Sequence, residues 1–125
     1  MAMRCLLIDD SAQFLRSARE LLERQGAEVE VASTGADAVR LAREGRPDVV
    51  LLDIDLGDET GFDVAHRLHD TEVSPPDGLP IILVSTHSEK DFEDLIGSSP
   101  VVGFLPKSSL SARAIQELLE EQAAR

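Results

Sequence analysis

The sequence predicts an α/β domain with a doubly wound, five-stranded parallel sheet covered by helices on both faces, a three-layer sandwich. Three observations predict it. Five short apolar or β-rich runs alternate with five segments of helical period over 125 residues, and strict βα alternation in so short a chain builds one parallel sheet. Four of the runs are almost continuously apolar, as strands covered on both faces must be. The length suits a single domain, 1–125, and is too short for two cores. A domain of this size buries roughly two-thirds of its unfolded surface and needs no disulfide or metal to fold.

The strands are read at Met3–Ile8, Glu28–Ala32, Val49–Leu52, Pro80–Val84 and Val101–Leu105. In the second, Val29 and Val31 alternate with Glu28 and Glu30, a pattern that suits an edge strand with one face partly open. Between strands the period becomes helical. Phe14, Leu15, Ala18, Leu21 and Leu22 form one stripe, closed by Gly26. Ala38, Val39 and Ala42 mark the second helix, ended by Gly45 and Pro47. Val64, Ala65 and Leu68 mark a third, opened near Thr60. Phe92, Leu95 and Ile96 mark a fourth, with Ser88 and Asp91 spaced as a capping box. In the fifth, Ser111 is an N-cap, and Leu110 and Ile115 stand at the positions of a hydrophobic staple. Thr71–Gly78, with its Pro75-Pro76 and Asp77-Gly78 pairs, reads as a surface loop.

Composition excludes several functions. The net charge of −12 argues against direct binding of nucleic acid or of an anionic membrane. With no Trp or Tyr and only four Phe, platforms for stacking bases or a flavin are scarce. The apolar run after Met1-Ala2-Met3-Arg4 is too short for a signal-peptide core, and no stretch could span a bilayer. The lone cysteine, Cys5, lies in an apolar run, where a buried inert thiol is expected. A cytoplasmic protein is the expectation.

In open parallel sheets, ligands bind beyond the carboxyl ends of the strands, where the strand order reverses. Strand one ends in Asp9-Asp10, strand three in Asp53, strand four in Ser85, and strand five in Lys107 after Pro106. Strand two ends in Ala32-Ser33. A strand order 2-1-3-4-5 accounts for both facts, because it carries the second strand to the edge and away from the switch point. Three gathered carboxylates repel one another unless a cation neutralises them. Mg²⁺ suits such a set, since it prefers oxygen ligands and is held by one or two carboxylates together with phosphate oxygens. Lys107 adds a compact positive charge and Ser85 a hydroxyl donor. A carboxylate nucleophile, a metal and a lysine are the parts for phosphoryl transfer onto an aspartate. Each residue alone has a plainer reading: the acidic pair as a helix cap, Asp53 as a turn residue, Ser85 and Lys107 as solvated surface. Their joint placement at one sheet edge is the signal.

The runs Leu6-Leu7-Ile8-Asp9-Asp10, Val49 to Leu56, Ile82-Leu83-Val84-Ser85 and Gly103-Phe104-Leu105-Pro106-Lys107 resemble the receiver domains of bacterial response regulators, which share the flavodoxin-like fold. The likeness extends over essentially the whole chain. It implies that Asp53 is the phosphoacceptor, charged from the phosphohistidine of a histidine kinase or a phosphotransfer protein. It implies that Asp9 and Asp10 hold Mg²⁺ with Asp53, and that the backbone carbonyl of Asp55 adds a ligand. Ser85 matches the hydroxyl that swings toward the phosphoryl group, Lys107 the lysine that pairs with it, and Phe104 the aromatic switch. Residue type alone reads Phe104 equally as a core aromatic. The family's output is a population shift of the face made by the fourth helix, fifth strand and fifth helix, which is also a homodimer surface.

Some positions depart from the commonest pattern of that family. Ser108 and Gly57 stand where proline is frequent, and Thr86 replaces a smaller residue. Asp55 and His87 occupy variable positions that flank the site, and Gly97–Val102 departs from the usual approach to strand five. These bear on phosphoryl lifetime and output. A receiver is not expected to be an enzyme beyond assisting its own phosphorylation and dephosphorylation. Two alternatives carry the same residues less well. A degenerate receiver used only for protein contacts would have no need of the intact set. A haloacid-dehalogenase-like phosphatase would share Asp53-Ile54-Asp55, but that motif normally ends the first strand, with Thr or Val where Gly57 stands. A flavodoxin-like electron carrier lacks its stacking aromatics, and a dinucleotide fold lacks its glycine-rich first turn.

Overall fold

The computed structural model describes residues 3–70, 79–86 and 89–123. The loop read at Thr71–Gly78, together with His87 and Ser88, lies outside the described residues. In chain order the elements are β1 (Arg4–Ile8), α1 (Ala12–Arg24), β2 (Glu28–Ala32), α2 (Gly35–Gly45), β3 (Val49–Asp53), α3 (Gly61–Asp70) and β4 (Ile81–Ser85). A 3₁₀ turn (Glu89–Phe92) then leads into α4 (Glu93–Gly97), β5 (Gly103–Pro106), a second 3₁₀ turn (Lys107–Ser109) and α5 (Ala112–Ala123). The sheet order is β2-β1-β3-β4-β5, parallel throughout.

Strand alternation divides the apolar residues between two cores. Leu6, Ile8, Val50, Leu52, Ile81 and Leu83 face α2 and α3. Cys5, Leu7, Val49, Leu51, Ile82 and Val84 face α1 and α5. Leu6, Leu7, Leu51, Leu52 and Leu83 are each at most 1% exposed, so each contributes on the order of 2 kcal/mol of burial. The alternation of β2 follows from its edge place: Val29 and Val31 pack on the α1 side, while Glu28 and Glu30 are exposed.

The helix starts follow their capping residues. Ser11 Oγ accepts from the Phe14 N–H, Thr34 Oγ1 from Asp37, Thr60 Oγ1 from Asp63 and Ser111 Oγ from Ala114. Leu110 and Ile115 are both buried in one core, as a staple requires. Gly26, with φ of 95°, lies just past the end of α1, where a left-handed residue is wanted. At the end of α2 the left-handed residue is Arg46, with φ of 46°, not Gly45, which remains helical. Arg46 precedes Pro47, whose ring disfavours the right-handed helical region there.

Two expectations need correction. The fourth helical segment opens as the 3₁₀ turn that holds Asp91, and only Glu93–Gly97 is α-helical; the capping box read at Ser88 and Asp91 involves Ser88, which lies outside the described residues. The residue preceding α4 is Phe92, which makes no side-chain cap. Phe92 and Ile96 pack on the core, and the Phe92 ring lies 6.1 Å from that of Phe62, whereas Leu95 is 52% exposed. The fifth strand also starts later than its apolar run: Val102 donates its N–H to the Ile81 carbonyl at 2.8 Å, and the ladder proper begins at Gly103. No helix among the described residues is long and apolar enough to cross a membrane.

Candidate functional site

Register alone brings the acidic residues together. Ile8 pairs with Leu52, so Asp9 and Asp53 each stand one step beyond the same rung at the carboxyl edge. Ser85 pairs with Pro106, which delivers Lys107 one step past that rung. One carboxylate oxygen from each of Asp9, Asp10 and Asp53 lies within 4.8 Å of the others. Asp9 and Ser85 are each 1% exposed, Asp53 is buried, and Asp10 faces solvent.

Lys107 closes the site from above β5. Its Nζ lies 2.7 Å from Asp9 Oδ2 and 3.9 Å from Asp53 Oδ2. Asp9 Oδ1 accepts from the Ser11 N–H at 2.8 Å. Apart from its ion pair with Lys107, the buried Oδ2 of Asp9 has no hydrogen-bond partner among the described residues. Phe104, half-buried, pairs with Leu83 in register and packs on the α2–α3 core. Thr86, next to Ser85, is exposed.

The segment after β3 turns back at once. Leu56 donates its N–H to Glu59 O, Gly61 to Ile54 O at 2.6 Å, and Gly57 to Asp55 Oδ1 at 3.2 Å. Gly57 has φ of 78°, and a Cβ there would come 3.9 Å from Asp10 Oδ2, so this loop passes beside the acidic pair. A Cβ on Gly61 would overlap the carbonyl oxygen of Asp53, which makes glycine obligatory where the backbones cross. Glu59 moors the loop: Oε2 accepts from the Gly35 N–H at 2.8 Å and Oε1 from Arg67 Nη1 at 3.1 Å.

Burial pushes the Asp53 carboxyl up to about 6 from its ordinary 3.8, and the charge of Asp9 pushes the same way. Lys107 opposes the shift, Asp10 adds to it, and a hydrogen bond from the Asp55 backbone N–H opposes it. Burial also raises Cys5, to about 11, consistent with an inert thiol.

The set fits a hard divalent cation. Three carboxylates converge, one is costly to ionise, and another buries an oxygen with a single cationic neighbour. A cation there would relieve all three conditions. Sequence reasoning brought Asp9, Asp10, Asp53, Ser85 and Lys107 to this edge. It did not find that Phe14 presents its ring to Lys107, with Nζ 4.3 Å from the centroid. The available signal was that Phe14 lies one helical turn past Asp10. It also did not find Glu59 and Arg67, whose partners are distant in sequence.

The sequence profile of the response regulator receiver domain matches residues 5–120. The transcriptional regulatory protein AfsQ1 of Streptomyces coelicolor is 38% identical over 96 residues, covering 76% of this chain and 40% of that protein. Protein PilH of Pseudomonas aeruginosa is 36% identical over 87 residues, covering 70% of each. Among solved structures, the chemotaxis protein CheY4 of Vibrio cholerae superposes with a TM-score of 0.82, over 97% of this chain and 98% of that one. It is 22% identical, a likeness of fold. The chain thus spans less than half the length of AfsQ1 and most of PilH. By profile, sequence and topology alike, it belongs to the response regulator receiver domains of two-component signalling.

Proposed function

We propose that residues 1–125 act as one receiver domain whose Asp53 accepts a phosphoryl group from the phosphohistidine of a kinase or phosphotransfer protein. The observation that supports this most is the meeting of Asp53 with Asp9, Asp10 and Lys107 at the carboxyl edge of the sheet. In the transfer, a carboxylate oxygen of Asp53 attacks phosphorus, an O–P bond forms, and the N–P bond to the donor imidazole breaks. The imidazole leaves with the bonding electron pair and takes a proton from water. Asp9, Asp10, Asp53 and the carbonyl of Asp55 are the groups that would hold Mg²⁺. When bound, it supplies neutralising charge for the carboxylates and for the phosphoryl oxygens.

The chain's own residues do the rest. Burial and the neighbouring acids keep Asp53 poised to react once its charge is balanced. Lys107 supplies a positive charge already close to the acceptor. Ser85, at the end of β4, offers its hydroxyl to a phosphoryl oxygen. Phe104, half-buried on β5, is the aromatic whose rotamer would follow that contact. The signal leaves through the α4–β5–α5 face, on which Leu95 is 52% exposed. The buried, unpaired Cys5 accords with a reducing cytoplasm.

The test is incubation with a small acyl phosphate and Mg²⁺, read by intact mass. Wild type should gain one phosphoryl group and Asp53→Ala none. Labelling that survives the substitution refutes the assignment.

A further inference from the structure

The acceptor's lysine is held by more than carboxylates. Its Nζ lies 4.3 Å from the centroid of the Phe14 ring, well inside the roughly 6 Å over which a ring face attracts a cation. Lys107 is only 19% exposed, and Phe14 is half-buried against the α1–α5 core, so water competes weakly for the ammonium.

The contacts form a closed circuit. Asp9 Oδ1 accepts from the Ser11 N–H. Ser11 Oγ accepts from the Phe14 N–H at 3.2 Å. The Phe14 ring faces Lys107, and Lys107 returns to Asp9 through Oδ2. The cap that starts α1 therefore also sets where the ring stands. A lysine carries four rotatable bonds and, left alone, samples many positions. Here carboxylates bound it on one side and an aromatic face on another.

We propose that Phe14 is a positioning residue for phosphoryl acceptance: its ring face holds the Lys107 ammonium between Asp9 and Asp53, so the charge is in place before a phosphoryl group arrives. The proposal rests on the receiver reading of Asp53. Without the ring, the ammonium spends less time near the acceptor, and acceptance slows without any change in the carboxylates. From the usual strength of a partly desolvated cation–π contact, the slowing is about three- to tenfold.

The experiment uses the full chain and two variants, Phe14→Leu, which keeps apolar bulk, and Phe14→Tyr, which keeps the ring. Proton NMR should find the Lys107 Hε resonances displaced upfield by the ring current in wild type and in Phe14→Tyr, but not in Phe14→Leu. The rate of phosphorylation by a small acyl phosphate with Mg²⁺ should fall about three- to tenfold in Phe14→Leu and recover in Phe14→Tyr. In a Lys107→Ala background, Phe14→Leu should cost nothing further, because the ring then has no ammonium to hold. Thermal melting confirms that each variant is folded.

A wild-type Lys107 without upfield shifts overturns the proposal. So does a rate unchanged by Phe14→Leu, or one that falls equally with and without the lysine. Absence of phosphoryl uptake by wild type instead removes the reading of Asp53 as phosphoacceptor, and the positioning role with it. The two failures are thereby distinguishable.

Discussion

Replacing Asp53 by asparagine in the metal-free protein removes one of three carboxylates whose oxygens lie within 4.8 Å, and it should make the fold more stable. The Asp53 carboxyl is pushed from 3.8 up to about 6. At about 1.4 kcal/mol per pKa unit, ionising it in the folded protein costs about 3 kcal/mol more than in the unfolded chain. Burial is the largest cause, and an asparagine amide is also desolvated, so a net gain of about 1 to 2 kcal/mol is expected. The sign with pH follows from the raised folded value. Below about pH 4 the carboxyl is protonated in both states and the wild type bears no penalty. Between about pH 4 and pH 6 the unfolded state loses its proton first, and wild-type stability falls. Above that range the penalty is complete. Urea unfolding in a chelator, repeated from pH 4 to pH 8, should therefore give a gap between Asp53→Asn and wild type that opens across this window. At neutral pH the gap corresponds to a rise in Tm of roughly 4 to 10 °C. Saturating Mg²⁺ should narrow or reverse it, since the cation is bound by the folded wild type and less well by the variant. A wild type as stable as Asp53→Asn without metal at pH 7.5, or a gap independent of pH, would refute the reasoning.

Asp10→Ala should weaken Mg²⁺ affinity by tenfold or more and slow phosphorylation, as titration calorimetry and intact mass can determine; unchanged affinity removes Asp10 from the site. Lys107→Ala should leave phosphorylation measurable but blunt the shift of the Phe104 ring resonances on phosphorylation. An undiminished shift would show that the lysine does not sense the phosphoryl group. Gly61→Ala sets a methyl against the backbone carbonyl of Asp53, which no side-chain movement relieves, so urea unfolding should find a loss of about 3 kcal/mol or more.

The sheet was legible because its strands obey one simple requirement, apolar residues on both faces, with the exception at β2 betraying the edge. Once the order was known, the positions of Asp9, Asp53, Ser85 and Lys107 followed from register, which is why widely separated residues could be gathered on paper. Helix four was less legible. Phe92, Leu95 and Ile96 carry helical spacing, but spacing does not reveal how many turns form, and only two of the three are covered. Helix two ends at Gly45, where the sequence placed it, and the left-handed residue is the next one, Arg46. Phe14 was read into the core stripe, correctly for its packing. Its ring face became meaningful only when β5 delivered a lysine beside it. Contacts of that kind, like the Gln25 side chain that accepts from the Ala112 N–H at 2.6 Å, join positions that no local pattern links.

The mooring of the loop by Glu59 has one further consequence. A methyl on Gly35 would meet Glu59 Oε1 at 2.5 Å and Arg67 Nη1 at 2.7 Å. Both atoms are the far ends of flexible side chains, and alanine is a better helix former than glycine. An alanine at position 35 would therefore spare α2 while pushing aside Glu59, which ties it to the loop after β3, and Arg67 of α3, which holds Glu59. One uncharged methyl group, introduced on an element that carries none of the acidic residues, would strain that tether and leave the acidic cluster untouched. The first residue of α2 is thereby joined to a loop that follows it 24 residues later.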